Sequence, residues 1–279
     1  MEQTYGICRV SIAPLRTEPS DKAEISSQLL FGDHVEIIER TEKWWRIRNA
    51  YDDYEGWMDY RQLAALSLAD YIKNHDARHM VPLEAGAAIL AADGSTYYLS
   101  AGSTLPLYED RFCRLGEEQF EVLFEPFLVE PFFRSDSIEP REGWMPIEPS
   151  SEVAEGILKT ALFFQNASYL WGGRSLFGID CSGFSQIVYK MNGIKLGRDA
   201  WQQAEQGREV ANLQEAKAGD LAFFDNEAGR ITHVGILLNN QEIIHASAKV
   251  RIDKIDEKGI YNAEMDKYTH QLKSVRRYF

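Results

Sequence analysis

The sequence predicts an α+β fold: two small β-barrels followed by a domain in which helices pack on an antiparallel sheet. Short alternating apolar segments, separated by turns, fill the first half of the chain. Helical periods then run from residue 150 to Phe164 and, after the Gly172-Gly173 loop, from Cys181 to Met191, and alternation returns from Leu221 onward.

At 279 residues the chain has room for two or three modules, each with its own core. Hydrophobic residues make up 44% and charged residues 26%, the composition of an ordinary globular protein. A formal charge of −13 without a basic stripe excludes a phosphate-backbone partner, so no nucleic acid is expected. The three cysteines, Cys8, Cys113 and Cys181, are odd in number and far apart, which argues against a disulfide framework. Met1-Glu2-Gln3-Thr4-Tyr5-Gly6 has neither a charged nor an apolar leader region, and no stretch approaches the roughly 20 apolar residues that span a bilayer. As written, the chain is expected in the cytoplasm without membrane insertion. A chain trimmed of an export signal would read the same and belong to the periplasm or cell envelope.

Residues 1–63 read as the first barrel. Its strands are Val10 to Leu15, Ile25 to Phe31, Val35 to Glu39, Trp44 to Arg48 and Gly56 to Met58. Leu15-Arg16-Thr17-Glu18-Pro19-Ser20, Gly32-Asp33, Trp44-Trp45-Arg46-Ile47 and Gly56-Trp57-Met58 together resemble a bacterial SH3-like domain. Residues 64–80, with Leu66, Leu68, Ala69, Tyr71 and Ile72, read as a helical linker. Residues 81–149 are again strand-like and end in Gly143-Trp144-Met145, repeating Gly56-Trp57-Met58, so a second, divergent SH3-like barrel is expected. Pro146, Glu148 and Pro149 mark the next boundary.

Residues 150–279 form the third module. Ser150 or Ser151 can cap a helix through Val153, Ile157, Leu158, Ala161, Leu162 and Phe164. A second helix opens at Cys181 and buries Phe184, Ile187, Val188 and Met191 on one face. Strands follow at Leu221–Phe224, Ile231–Leu238 and Gln241–Ala246, giving the helices-then-sheet order of a papain-like domain.

The chemistry gathers here. Asp180 can cap the helix that Cys181 begins, so backbone N–H groups and the helix dipole favour a thiolate and can receive an oxyanion. His233 lies on a strand whose same-face neighbours are Ile231 and Gly235, with the glycine leaving open space beside the ring, which suits a general base. His245 can fix its tautomer by accepting its other N–H. His233 and His245 have equal parity, so they share a face of an antiparallel pair only if the connection near Leu238–Asn240 holds an odd number of residues, or a bulge shifts the register. A Cys-His-His zinc site is the chemical rival. It needs a fourth ligand, and Cys8 and Cys113 fall in other modules.

The run Tyr169-Leu170-Trp171-Gly172-Gly173-Arg174-Ser175-Leu176-Phe177-Gly178-Ile179-Asp180-Cys181-Ser182-Gly183-Phe184 is joined by Ala218-Gly219-Asp220-Leu221, Thr232-His233-Val234-Gly235-Ile236 and His245-Ala246-Ser247. Together these segments resemble the NlpC-type cysteine peptidases of bacterial cell-wall turnover. The resemblance implies Cys181 as nucleophile, His233 as base, His245 as third member, and no cofactor or metal. Two SH3-like modules ahead of such a domain look like γ-D-glutamyl-L-diamino acid endopeptidases of the dipeptidyl-peptidase VI type. That implies a murein peptide partner, L-Ala-γ-D-Glu-diamino acid with a free amino end, and a role in murein recycling. The pocket residues implied are Tyr169, Trp171, Asp180, Ser182 and Asp199, with Ala200 replacing the serine common in relatives. Tyr54 and Glu24 of the first module are expected to close the pocket, with Glu18 as the competitor of Glu24. Two alternatives stand beside this reading: an endopeptidase for intact peptidoglycan, and a non-catalytic SH3-like adaptor.

Overall fold

The computed structural model describes residues 4–75, 77–129 and 151–279. They form two compact units: residues 4–129 with Leu170–Gly178, and residues 151–169 with 179–279.

In the first unit β1 (Tyr5–Cys8), β2 (Ile12–Arg16), β3 (Ile25–Leu30), β4 (His34–Arg40), β5 (Trp44–Asn49), β6 (Glu55–Asp59) and β7 (Leu63–Leu66) make an antiparallel sheet ordered β3-β2-β6-β5-β4-β1-β7. The inward positions of the alternation, Cys8, Ala13, Leu15, Leu29, Val35, Ile47, Met58 and Leu63, fill its core. The strand expected from Val10 to Leu15 starts at Ile12, and an additional strand, β1, precedes it, pairing with both β4 and β7. With four residues, β1 is too short to display a period.

The helix expected over residues 64–80 is shorter. Leu63 and Leu66 are buried in β7, paired to Cys8 and Tyr5, and α1 spans only Leu68–His75. Ser67 sets its start by accepting from the Asp70 N–H at 3.1 Å.

Beyond it come β8 (His79–Met80), β9 (Ala88–Ala91), β10 (Thr96–Tyr98), β11 (Phe112–Leu115), β12 (Glu118–Val122) and β13 (Phe127–Leu128), arranged as a sheet β10-β9-β12-β11 and a pair β13-β8. Ile89, Leu115, Phe120 and Val122 share one core with Ile7, Phe31 and Leu66, so residues 4–129 are packed as a single body. Gly143-Trp144-Met145 and the boundary at Pro146, Glu148 and Pro149 lie outside the described residues.

The stretch Leu170–Gly178 corrects the expected 150–279 boundary, because it is built into the first unit. Gly172 has φ +76°, and a Cβ there would lie 2.4 Å from the Ile25 carbonyl, so only glycine fits. Arg174 is fully buried. Its guanidinium donates to the Gln28 carbonyl at 2.7 Å and lies 3.3 Å from Asp33, while its N–H donates to the Gln28 side chain at 2.9 Å. The stretch holds β14 (Arg174–Ser175) and the start of β15 (Gly178–Ile179).

The second unit contains α2 (Ser151–Phe163), α3 (Cys181–Lys190) and α4 (Ala200–Ala204). Its strands are β16 (Arg208–Val210), β17 (Leu221–Asp225), β18 (Ile231–Leu237), β19 (Glu242–Ser247), β20 (Lys249–Asp256), β21 (Gly259–Asn262) and β22 (Lys267–Arg277). The order is β16-β22-β17-β18-β19-β20-β21, and β21 also pairs with β22, which closes the sheet on itself. Ala222, Phe224, Leu237, Ile243, Ile255, Ile260 and Val275 fill the enclosed core. The helix at Cys181 was expected to bury one face; every residue from Cys181 to Lys190 is buried. Asp220 and Arg277 form a buried two-bond pair at 2.7 and 2.6 Å that ties the end of the chain to the Ala218-Gly219-Asp220 turn. Among the described residues no helix is long and apolar enough to cross a membrane.

Candidate active site

The nucleophile candidate sits where the helix start places it. Asp180 is the N-cap of α3, and its carboxylate accepts from the Gly183 N–H at 2.7 Å. Cys181, the first residue of the helix, is 7% exposed. Burial pushes its thiol up to about 12, and the Asp180 charge adds to this. Backbone hydrogen bonds to Val234 and Ser182 and the Arg198 charge only partly oppose the rise. Desolvation thus opposes the thiolate that the helix start favours. The Val234 bond also fixes position: the sulfur lies against the residue that follows His233.

His233 and His245 meet as an imidazole pair, His233 Nε2 to His245 Nδ1 at 2.8 Å. The connection between Leu238 and Glu242, which exchange a hydrogen bond at 2.9 Å, holds three residues, so the odd count that puts both rings on one face is realised. The open space expected beside Gly235 is occupied. A Cβ at Gly235 would lie 2.8 Å from His245 Cβ and 2.7 Å from Ile243 Cδ1. The missing side chain lets β19 come close enough for His245 to reach diagonally to His233. Burial, then His270, then His245 hold the His233 imidazole well below its ordinary value, so it rests neutral. The two imidazoles point a proton and a lone pair at each other, which is not how two ligands face a shared metal ion.

Two further side chains complete the cluster, and the sequence reading missed both. His270 on β22 stacks on His233 with ring centroids 4.1 Å apart. Asp253 on β20 lies 3.0 Å from His245 Nε2 and is gripped by Arg251. The signal for each was a lone polar residue in a strand, indistinguishable from a solvent-facing position.

Around the thiol, Ser182 is buried, and its hydroxyl accepts from Arg198 at 3.0 Å. Arg198 also forks onto Asp180 at 3.1 and 2.6 Å, so the Asp180 carboxylate is committed to the cap and to Arg198. The same guanidinium ties the turn carrying Asp199 to the head of α3. Asp199 is half-buried at the N-cap of α4, with its backbone N–H donating to Gln202 at 2.9 Å. Tyr169 is half-buried, its phenol pushed up to about 12 by burial and by the neighbouring Cys181 and Asp180.

Trp171, Glu24 and Tyr54 belong to the first unit. The Trp171 indole N–H donates to the Glu24 carboxylate at 2.5 Å, so Glu24 rather than Glu18 is the glutamate this motif engages. Tyr54 packs against the barrel core.

Chemically, a thiol at a helix start, a neutral imidazole and donors at the first helical turn suit acyl transfer. A sequence profile described as the NlpC/P60 family matches residues 166–271, and one described as the bacterial dipeptidyl-peptidase Sh3 domain matches residues 15–63. The chain is 32% identical over 234 residues to a gamma-D-glutamyl-L-lysine dipeptidyl-peptidase of Bacillus subtilis, covering 80% of this chain and 72% of that protein. It is 28% identical to dipeptidyl-peptidase 6 of Lysinibacillus sphaericus over 88% of this chain and 90% of that one. A solved NlpC/P60 family protein from Bacillus cereus superposes with a TM-score of 0.76, covering 99% of both chains at 22% identity.

Proposed function

The chain belongs to the NlpC/P60 family and is a cysteine peptidase with an SH3-like domain ahead of the catalytic one, and from that premise we propose that it hydrolyses the γ-D-Glu–diamino acid bond of murein stem peptides bearing a free L-Ala amino end. The catalytic part of this reading is supported by one observation above the others: the paired imidazoles of His233 and His245 beside a helix that opens on Cys181.

In the proposed reaction the Cys181 sulfur bonds to the γ-carbonyl carbon as its proton passes to His233. Burial disfavours the charged form of both groups, so His233 takes the thiol proton as general base during attack. The first backbone N–H groups of α3 receive the oxyanion. Collapse expels the diamino acid amine, which takes the proton from His233 and leaves a thioester on Cys181. Water then attacks the thioester, His233 takes its proton, and the sulfur leaves and regains it.

Substrate choice rests on the two relatives named as dipeptidyl-peptidases and on Asp199, a carboxylate tied through Arg198 to the head of the nucleophile helix. We assign Asp199 to the substrate ammonium. Free stem peptides, as in recycling, are then preferred over intact wall. Residues 81–149 we read as a second, divergent SH3-like module.

The deciding experiment measures kcat/KM for L-Ala-γ-D-Glu-L-Lys, its diaminopimelate counterpart and their N-acetylated forms, beside release from insoluble sacculi. Acetylation removes the charge, and losing a charge-assisted contact costs about 2–5 kcal/mol, roughly 30- to several-thousand-fold. Asp199→Ala should erode the discrimination, and Cys181→Ala should abolish turnover. Glu24→Ala and Tyr54→Ala, assayed the same way, decide whether the first unit takes part in recognition. Equal cleavage of free and acetylated peptides sinks the amino-end assignment and favours the endopeptidase.

A further inference from the structure

A hydrogen bond between two imidazoles has no intrinsic direction. Each neutral ring carries one N–H and one lone pair, so His233 Nε2 can donate to His245 Nδ1 or accept from it. The choice matters chemically. Only when His233 donates from Nε2 does its Nδ1, the nitrogen not bonded to His245, carry the lone pair that a base needs. In the opposite sense Nδ1 bears hydrogen and cannot take the thiol proton.

His245 is 1% exposed, so its protein neighbours rather than bulk solvent break this tie. Its other nitrogen, Nε2, lies 3.0 Å from Asp253 Oδ2. The strand register explains why: Ile243 opposes Asp253 and His245 opposes Arg251, so Asp253 stands on the diagonal from His245. Arg251 opposes both carboxylate oxygens, with Nη2 donating to Oδ1 at 2.9 Å and Nε lying 2.8 Å from Oδ2, while its Nη1 reaches Glu264 at 3.0 Å. A carboxylate paired with a guanidinium stays ionised, and an ionised carboxylate only accepts.

We propose that Asp253 is a positioning residue that fixes the direction of proton donation through the histidine pair, so that the nitrogen His233 turns to Cys181 is always the basic one. The inference rests on Cys181 and His233 being nucleophile and base. Asp253 demands a proton on His245 Nε2. His245 Nδ1 must then accept, His233 Nε2 must donate, and Nδ1 of His233 is left as a lone pair. Asp253 touches neither substrate nor sulfur, and its effect passes through two rings. A plain Arg251–Asp253 sheet contact would require none of this.

Asp253→Asn is the discriminating replacement, since the amide keeps the shape of the carboxylate but must present an NH2. With that NH2 in the place of Oδ2 it faces His245 and Arg251 Nε and the relay reverses; in the place of Oδ1 it collides with the Arg251 Nη2 donor. Long-range 1H–15N correlation NMR on 15N-histidine protein should show both His233 and His245 protonated on Nε2 alone in the wild type. In folded Asp253→Asn, as judged by circular dichroism, the tautomers should reverse or mix. Alkylation of Cys181 by iodoacetamide should slow, and kcat should fall on the order of 10²-fold with KM within about threefold. Asp253→Glu, bulkier but acceptor-only, should retain more activity than the closer-shaped amide. A wild-type His245 carrying its proton on Nδ1, or on both nitrogens, overturns the proposal even if the variants fail to fold. So does a folded Asp253→Asn with wild-type tautomers and alkylation. Tautomers and alkylation need no peptide, so an error in the substrate leaves both readouts decisive.

Discussion

His233 and His270 lie face to face inside the second unit, and burial is the first cause of the depressed basicity of both, His233 far down and His270 to about 4. The unfolded chain binds protons near pH 6.5, where the folded one does not. Their stabilising contribution is therefore complete above pH 6.5 and lost as pH falls. The loss approaches about 1.4 kcal/mol per pH unit for each ring, and for His270 it ends near pH 4. Urea unfolding should show about 2–3 kcal/mol less stability at pH 5.5 than at pH 7 from these two groups together. His270→Phe, which keeps a stacked ring but cannot titrate, should flatten the slope by about half; an unchanged slope would contradict the assigned shift. Cys181, His233 and His245 were legible in the sequence because each sits in a short run of small and apolar residues that makes a lone reactive side chain conspicuous. Asp253 and His270 were not. In Lys249-Val250-Arg251-Ile252-Asp253 a polar residue at every second position reads as a wet face, whereas closure of the sheet buries Asp253.

Among the elements, β18 and β19 approach closely where His233 meets His245, and Gly235 permits it. Gly235→Ala must push His245 or Ile243 aside by several tenths of an ångström at contacts of 2.8 and 2.7 Å. Overpacking of this kind costs about 1–3 kcal/mol. A displaced relay should cost more in rate, on the order of 10²-fold in kcat/KM. Thermal unfolding and steady-state kinetics on one preparation separate the two effects; a variant with native rate would show that the glycine serves packing alone. Strands β17, β18 and β19 were readable to within a residue or two, because each is a short apolar run bounded by polar turn residues. Strands β20 to β22 lay beyond that pattern. The last is bent by bulges and serves three neighbours in turn, β21, β17 and β16.

At the scale of the molecule, the sequence reading drew module boundaries through linkers, and it erred where a module does not end at a linker. Tyr169 to Phe184 reads as one continuous motif, yet Leu170–Gly178 packs within the first unit. No composition shift marks that division, because the stretch is held by specific bonds from Arg174, Trp171 and Leu176 rather than by a separate core. Arg174 is fully buried and Asp33 is 2% exposed at its side chain. Arg174→Ala leaves that carboxylate without its cation, so about 3–5 kcal/mol of stability should be lost. Chemical denaturation tests this, and Arg174→Ala/Asp33→Asn should recover part of the loss. A catalytic chain that lends a stretch of itself to its neighbour is not a freely exchangeable cassette. Moving the peptidase domain onto a different barrel would separate Arg174 from Asp33 and Gln28, so a working graft must carry those two residues with it.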